Sequence, residues 1–169
     1  GRPRTTCEAC ARPRGKPIPV ADTSWDSDAE IELLRELCRR DFWTFFLHAF
    51  GAGSNPKGQR WIDEAIHEPL ADWFQGHVLK WHEARTIGEG YQLHLAVVVH
   101  RELGKTTLIT RAGQAWLHVL DPEMSSYTGA EGRALSSKML NAIKAVLDGS
   151  DPHALFTRLY GNWSAGART

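Results

Sequence analysis

The sequence predicts an α/β fold, in which helices cover both faces of a parallel β-sheet in three layers, after a helical N-terminal region. Residues 93–99 form an apolar run without alternation of polar and apolar residues, which is typical of a parallel strand buried on both faces. A glycine-containing loop and an amphipathic stretch, Thr106–Val119, follow directly, and Met124–Ala130 is a second strand candidate. Strand, helix and strand in this order indicate a right-handed parallel crossover.

The composition is that of an ordinary globular domain. The chain has 169 residues, of which 42% are hydrophobic and 24% charged, so one domain with a substantial core is expected. The formal net charge is zero, whereas a protein that binds nucleic acid over its whole surface is usually basic, so the charge argues against that class. No apolar run approaches the ~18 residues of a membrane helix, and the N-terminus lacks the apolar segment of a signal peptide. We therefore expect no membrane partner.

Residues 1–26 are rich in Arg, Pro, Gly, Thr and Ser and predict a flexible basic leader. Within it, Cys7 and Cys10 have the spacing of one half of a zinc site, and a free thiol pair is the alternative because no second Cys-x-x-Cys follows. The chain has three cysteines, an odd number that argues against a disulfide framework and is compatible with a reducing cytosol.

Residues 27–90 predict a helical subregion. Ser27 and Glu30 have the spacing of a capping box, which starts a first helix, and an aromatic-rich helical stretch follows over Asp41–Phe50. Pro69 suits the first turn of a third helix. The apolar face predicted for that helix consists of Leu70, Trp73, Phe74, His77, Val78 and Trp81.

Residues 91–169 predict the first strand–helix–strand–helix portion of the sheet domain, with the rest missing. After the second strand candidate, Glu131–Leu147 is predicted to be a helix. Its apolar stripe consists of Leu135, Met139, Ile143 and Val146.

The loop before Thr106 carries the chemistry. Gly104-Lys105-Thr106 between a strand and a helix is the end of a phosphate-binding P-loop, in which backbone N–H groups face a polyphosphate. Lys105 would reach the β- and γ-phosphates, and the Thr106 hydroxyl would bind Mg²⁺. Val99 stands where the consensus has its first glycine, so the loop would turn through residues 100–104. The alternative is a strand–helix junction that carries Gly-Lys-Thr by chance.

Arg101 would then lie over the phosphates, where a guanidinium could stabilise charge on the γ-phosphate. The alternative is a surface ion pair between Arg101 and Glu102 or another acid. The stretch His100–Thr107, HRELGKTT, resembles the deviant Walker A motif of the large terminase subunit of tailed bacteriophages, the ATPase of the DNA-packaging motor. The resemblance covers about residues 40–163, and this motif is its specific part.

The resemblance implies a P-loop NTPase fold of the RecA/ASCE type, with ATP and Mg²⁺ as cofactors. It implies catalytic roles for Lys105 and Arg101, and an adenine contact from His67 or Gln59. The nucleotide-binding residues that it implies are Arg101, Glu102, Leu103, Gly104, Lys105, Thr106 and Thr107.

By the same resemblance, the intact protein would couple ATP hydrolysis to the movement of double-stranded DNA into a procapsid in the host cytoplasm. Its partners would be the portal protein and the small terminase subunit, it would assemble as a homo-oligomeric ring, and a separate nuclease domain would follow. Other P-loop enzymes, helicase-like or nucleotide kinases, are alternatives, as is a non-enzymatic helical DNA-binding or adaptor module.

ATP hydrolysis also needs a Walker B strand that ends in two acids. One segment, Trp116–Glu123, resembles such a strand, but its apolar residues fit the end of a helix. Pro122 also separates its two acids, Asp121 and Glu123. We therefore expect this chain to be the front part of an ATPase domain that binds nucleotide weakly and does not hydrolyse it efficiently.

Overall fold

The computed structural model describes residues 25–51, 62–88, 92–98, 104–127, 129 and 132–163. Every regular element in these ranges is a helix. The elements are α1 (Asp28–Arg40), α2 (Phe42–Thr44) with a π-helical continuation (Phe45–Ala49), α3 (Glu64–Thr86), a π-helical segment (Thr106–Ala112) that continues as α4 (Gly113–Leu120), α5 (Arg133–Leu147) and α6 (Phe156–Tyr160).

The predicted α/β fold is wrong for the described residues, because they contain neither a β-strand nor a sheet. Residues 92–98 have no regular secondary structure, and no backbone hydrogen bond joins them to another described segment. Leu93 and Leu95 pack against the helical core, whereas His94 and Ala96 are exposed and Val98 is 94% exposed. The run is thus covered on one face only, and the RecA/ASCE-type P-loop NTPase fold is not the architecture of these residues.

The second predicted strand, Met124–Ala130, is also wrong where the structure describes it. Residues 124–127 are irregular, and the side chain of Tyr127 is 94% exposed. A turn in which the Met124 N–H donates to the Asp121 carbonyl at 3.1 Å follows the end of α4. An exposed segment of this kind has no apolar face with which to join a sheet.

The predicted capping box at the start of α1 is confirmed. The Ser27 hydroxyl oxygen accepts from the Glu30 N–H at 3.3 Å, and the Glu30 carboxylate accepts from the Ser27 N–H at 2.9 Å. The Ser27 hydroxyl also donates to the Glu30 carboxylate at 2.8 Å. The donations from the Ser27 N–H and hydroxyl to this carboxylate lower the pKa of Glu30 below its usual value of 4.5. Leu34 and Cys38, on the predicted face of the helix, are buried.

Replacing Ser27 by alanine is expected to lower the free energy of unfolding by about 1 kcal/mol, because an N–H group of α1 loses its acceptor. The lowered pKa makes the Glu30 contribution present above pH 4.5, and it is lost as the pH falls through the folded-state pKa. Urea denaturation at pH 7 and at pH 3 should therefore show a smaller difference between wild type and Ser27→Ala at pH 3. Alanine keeps its backbone N–H, so the pH-dependent part of the difference comes from the lost hydrogen bond between the Ser27 hydroxyl and the Glu30 carboxylate. Equal differences at both pH values would contradict the contribution of this bond.

The predicted aromatic-rich stretch is helical and forms the centre of the core. Asp41 caps α2, because its carboxylate accepts from the N–H groups of Trp43 and Thr44 at 2.8 and 3.3 Å. The ring centre of Phe42 lies 5.0 Å from that of Phe74 and 5.1 Å from that of Trp116, so α2, α3 and α4 share one aromatic cluster.

Helix α3 begins earlier than predicted, and its predicted face is confirmed only in part, at Phe74 and Val78. Asp63 caps it by accepting from the Ala65 N–H at 3.0 Å, and Pro69 lies inside the helix rather than in its first turn. The buried residues are His67, Ala71, Phe74 and Val78. Trp73, which was predicted to face the core, is 37% exposed. The apolar pattern of the helix allowed two adjacent faces, and the face that packs against the core lies beside the row formed by Trp73, His77 and Trp81.

The predicted stripe of α5 is confirmed in part. Met139, Ile143 and Val146 are buried, whereas Leu135 is 50% exposed in the first turn of the helix. No helix in the described part of the chain is both long and apolar enough to cross a membrane.

Candidate phosphate site at a helix N-terminus

The structure confirms that a helix begins directly after Gly104. Gly104 has a φ of +62°, a conformation that glycine adopts without strain, and Lys105 already has helical angles. The Gly104 carbonyl accepts from the N–H groups of Thr107 and Leu108, both at 2.9 Å. The N–H groups of residues 105 and 106 thus precede the first hydrogen-bonded turn, which is the place where a helix binds an anion.

The π-helical segment and α4 form one continuous helix that is firmly held by the core. Leu108, Ala112 and Trp116 are completely buried along its inner face. Gly113 lets α3 approach closely, because a Cβ atom there would lie 2.8 Å from the Phe74 ring. The position of the helix N-terminus is therefore fixed by packing, which a binding site requires.

Four of the predicted nucleotide-binding residues, Gly104–Thr107, lie together at the start of this helix, and all four residues are half-buried. The predicted Arg101, Glu102 and Leu103 lie outside the described residues. The same holds for Gln59, one of the two predicted adenine contacts, and for the predicted zinc ligands Cys7 and Cys10.

His67, the other predicted adenine contact, lies at the start of α3. Its ring is buried, and its Nδ1 atom is 3.0 Å from the Asp63 N–H nitrogen and 2.7 Å from the Asp63 carbonyl oxygen. These contacts hold the ring against the first turn of its own helix. The adenine contact stays a prediction.

Asp121 and Glu123 are the two acids of the segment that resembled a Walker B strand, and they follow the C-terminal end of α4. The prediction that Trp116–Leu120 are helical is confirmed, and Asp121 follows the last turn of α4. A continuous helix from residue 105 to 120 is roughly 20 Å long, so these acids lie far from the Lys105 end. Asp121 instead pairs with Arg85 at 3.3 Å and joins the ends of α3 and α4.

The structure also shows a polar cluster that the sequence reasoning missed. The hydroxyl oxygen of Ser126 is 2.6 Å from the Gln114 side-chain nitrogen and 2.7 Å from Nε2 of His118. Gln114 and His118 are four residues apart on α4, a spacing that signals a shared face, but nothing in the sequence points to Ser126. The cluster fastens the chain after α4 to that helix.

In the part of the chain that the structure describes, two groups have raised pKa values, and both serve packing. Burial raises the pKa of the Cys38 thiol to about 12, so the thiol is neutral and unreactive at physiological pH. Burial also raises the pKa of Tyr160, whose hydroxyl lies 3.2 Å from the Arg35 carbonyl oxygen, towards which it donates.

Within the described ranges, His, Cys, Asp and Glu side chains nowhere gather in a group of three or more that could hold a metal ion. Comparison with protein-family models finds no match, and comparisons with curated proteins and with solved structures find none either.

Proposed function

We propose that the chain binds the polyphosphate of ATP at the N-terminus of the helix that begins with Lys105. The observation that carries the proposal is the junction itself: a glycine with positive φ, then a lysine and two threonines in the first turn of a well-anchored helix. Backbone N–H groups and the positive end of the helix dipole attract a phosphate there, and the lysine adds a full charge.

Under this proposal, Lys105 neutralises the β- and γ-phosphates, and the Thr106 hydroxyl holds Mg²⁺. By the resemblance, Arg101 would contribute a guanidinium to the phosphates. ATP and Mg²⁺ are therefore the proposed ligands, and the adenine contacts proposed above rest on the resemblance alone.

The wider role that we propose is the ATP-binding part of a viral DNA-packaging motor, in which the intact protein is an ATPase that moves double-stranded DNA in the host cytoplasm. The support is the resemblance of HRELGKTT to the terminase Walker A motif. The helical architecture of the described residues gives this role no support, so it depends on the motif and on the helix start. The portal protein, the small terminase subunit and the homo-oligomeric ring belong to the same proposal.

The test is the shift in melting temperature that ATP and Mg²⁺ produce. At a ligand concentration a hundred times the dissociation constant, binding stabilises the native state by about 2.7 kcal/mol. For a chain of this size we expect a rise of about 5–10 °C, because each 1 kcal/mol raises the melting temperature by about 2–4 °C. Lys105→Ala should abolish the ligand-dependent rise, and Thr106→Val should remove the part that requires Mg²⁺.

Lys80→Ala is the matched control, because Lys80 is an exposed lysine on α3 and should leave the rise unchanged. AMP, which lacks the polyphosphate, should give no rise with any variant. The proposal is wrong if ATP leaves the melting temperature of the wild type unchanged, or if Lys105→Ala responds as the wild type does.

A second candidate function is the non-enzymatic helical adaptor. The observation that favours it is a row of aromatic and basic side chains on the outer face of α3. The ring centre of the partly exposed Trp73 lies 4.9 Å from that of His77. The Arg85 guanidinium lies 5.5 Å from the centre of the Trp81 ring. This function predicts that a partner protein binds without ATP, and that Trp73→Ala weakens binding whereas Lys105→Ala does not.

A further inference from the structure

A serine hydroxyl beside α4 is held by two side chains of different chemistry. The hydroxyl oxygen of Ser126 lies 2.6 Å from the side-chain nitrogen of Gln114 and 2.7 Å from Nε2 of His118. An amide nitrogen only donates, so the Ser126 oxygen accepts from Gln114. The hydroxyl hydrogen of Ser126 is then available for Nε2 of His118, which accepts it in the tautomer that carries its proton on Nδ1.

This arrangement is that of a serine nucleophile with its general base. A base within about 2.6–3.2 Å of a hydroxyl can take its proton as the oxygen attacks an electrophile. The amide N–H of Gln114 stabilises the partial negative charge that the oxygen then acquires. Ser126 is exposed to reagents, whereas Gln114 and His118 are half-buried on a helix whose inner face lies in the core. The base and the donor therefore keep fixed positions.

The charge around this pair favours an anionic reaction partner. Gly104–Leu120 contains no acidic residue, and the acid that follows, Asp121, pairs with Arg85 at 3.3 Å. Arg111 lies one turn before Gln114 on the same face, because residues three apart in a helix are neighbours. The Nε atom of Arg111 is buried and has no hydrogen-bond partner within the described ranges. A buried charged donor without a partner is costly, and an anionic ligand would satisfy it.

We propose that Ser126 is the nucleophile of an acyl-transfer site and is acylated by an acyl phosphate. Oγ of Ser126 attacks the carbonyl carbon and forms an ester bond, while the hydroxyl proton passes to Nε2 of His118. The bond between the carbonyl carbon and the phosphate oxygen breaks, and the phosphate leaves with the electron pair. His118 then gives the proton to the phosphate, which Arg111 binds through charge-assisted hydrogen bonds. The step uses no ATP and is independent of the site at Lys105.

The test is incubation of the whole chain with acetyl phosphate, followed by mass spectrometry of the peptides. The wild type should carry an acetyl group on Ser126, and Ser126→Ala should carry none at this position. Ser125→Ala is the matched control, because Ser125 is the neighbouring exposed serine, and this variant should be acetylated on Ser126 at the wild-type rate. His118→Gln keeps a side-chain N–H for the Ser126 oxygen but cannot take a proton, so it should lower the rate about 10²–10⁴-fold.

Arg111→Gln separates the binding of the phosphate from the chemistry at Ser126. Its rate should fall about ten-fold more with acetyl phosphate than with p-nitrophenyl acetate, a neutral acyl donor. Circular dichroism should show the same helix content in all variants. The proposal is overturned if Ser126 is acetylated no faster than Ser125, if His118→Gln reacts as the wild type does, or if Arg111→Gln affects both donors equally. A phosphoryl group on Ser126 in place of the acetyl group also overturns it, because the attack would then be at phosphorus.

Discussion

Trp116→Ala is expected to lower the free energy of unfolding by about 3–5 kcal/mol, the usual range for removal of a large buried aromatic side chain. Trp116 is completely buried on α4, and its ring centre lies 5.1 Å from that of Phe42. Domains are stable by only about 5–15 kcal/mol, so this change removes a large part of the total. Urea denaturation followed by circular dichroism measures it.

Part of this loss comes from one hydrogen bond. The indole N–H of Trp116 donates to the Cys38 carbonyl at 2.9 Å, a carbonyl in the last turn of α1. In a continuous α-helix the Phe42 N–H would donate to the Cys38 carbonyl, but here it donates to the side-chain oxygen of Gln75. Trp116 thus satisfies a helix-end acceptor that is buried away from water.

Trp116→Phe separates the hydrogen bond from the packing. It keeps most of the apolar contact but leaves the Cys38 carbonyl without this donor, which costs about 1–3 kcal/mol. Trp73→Ala is the matched control, because Trp73 is also on a helix but is 37% exposed, and about 1 kcal/mol or less is expected. If Trp116→Ala is no more destabilising than Trp73→Ala, Trp116 does not hold α1 and α4 together.

The parts of the fold that could be predicted from the sequence are those that local chemistry determines. Ser27 and Glu30 start α1 through hydrogen bonds over three residues, and Gly104 before Lys105 starts the helix of the candidate site. The helix periodicity of α5 placed Met139, Ile143 and Val146 correctly. In each case the residues that determine the helix lie within that helix or directly beside it in the sequence.

The parts that could not be predicted depend on partners distant in the sequence. Whether an apolar run such as residues 92–98 becomes a strand is decided by a neighbouring strand, and the described residues supply none. The buried face of α3 depends in the same way on Phe42 and on Gly113, which accept Phe74 rather than Trp73. The cluster at Ser126 joins a loop to α4, and no periodicity reveals such a contact.

Gly51→Ala is expected to be the second severe substitution, with a loss of about 2–5 kcal/mol in the free energy of unfolding. Gly51 follows the π-helical end of α2 with a φ of +66°, and this left-handed conformation costs a residue with a side chain about 1–2 kcal/mol. A Cβ atom at this position would also lie 2.4 Å from the His153 carbonyl oxygen and 2.6 Å from the Ala154 nitrogen. Backbone atoms cannot rotate away, so the overlap adds the cost of overpacking, about 1–3 kcal/mol.

The close approach at Gly51 joins α2 to the segment before α6, where the Leu155 N–H donates to the His48 carbonyl at 3.1 Å. Gly88→Ala is the matched control, because Gly88 has a φ of +78° but nothing within 4 Å of the added Cβ atom. It should therefore show the conformational cost alone. Thermal and urea denaturation of both variants measure the difference, which we attribute to the contact with residues 153 and 154. Equal destabilisation by the two substitutions would mean that residues 153–154 move aside without cost, and that α6 is not held by this contact.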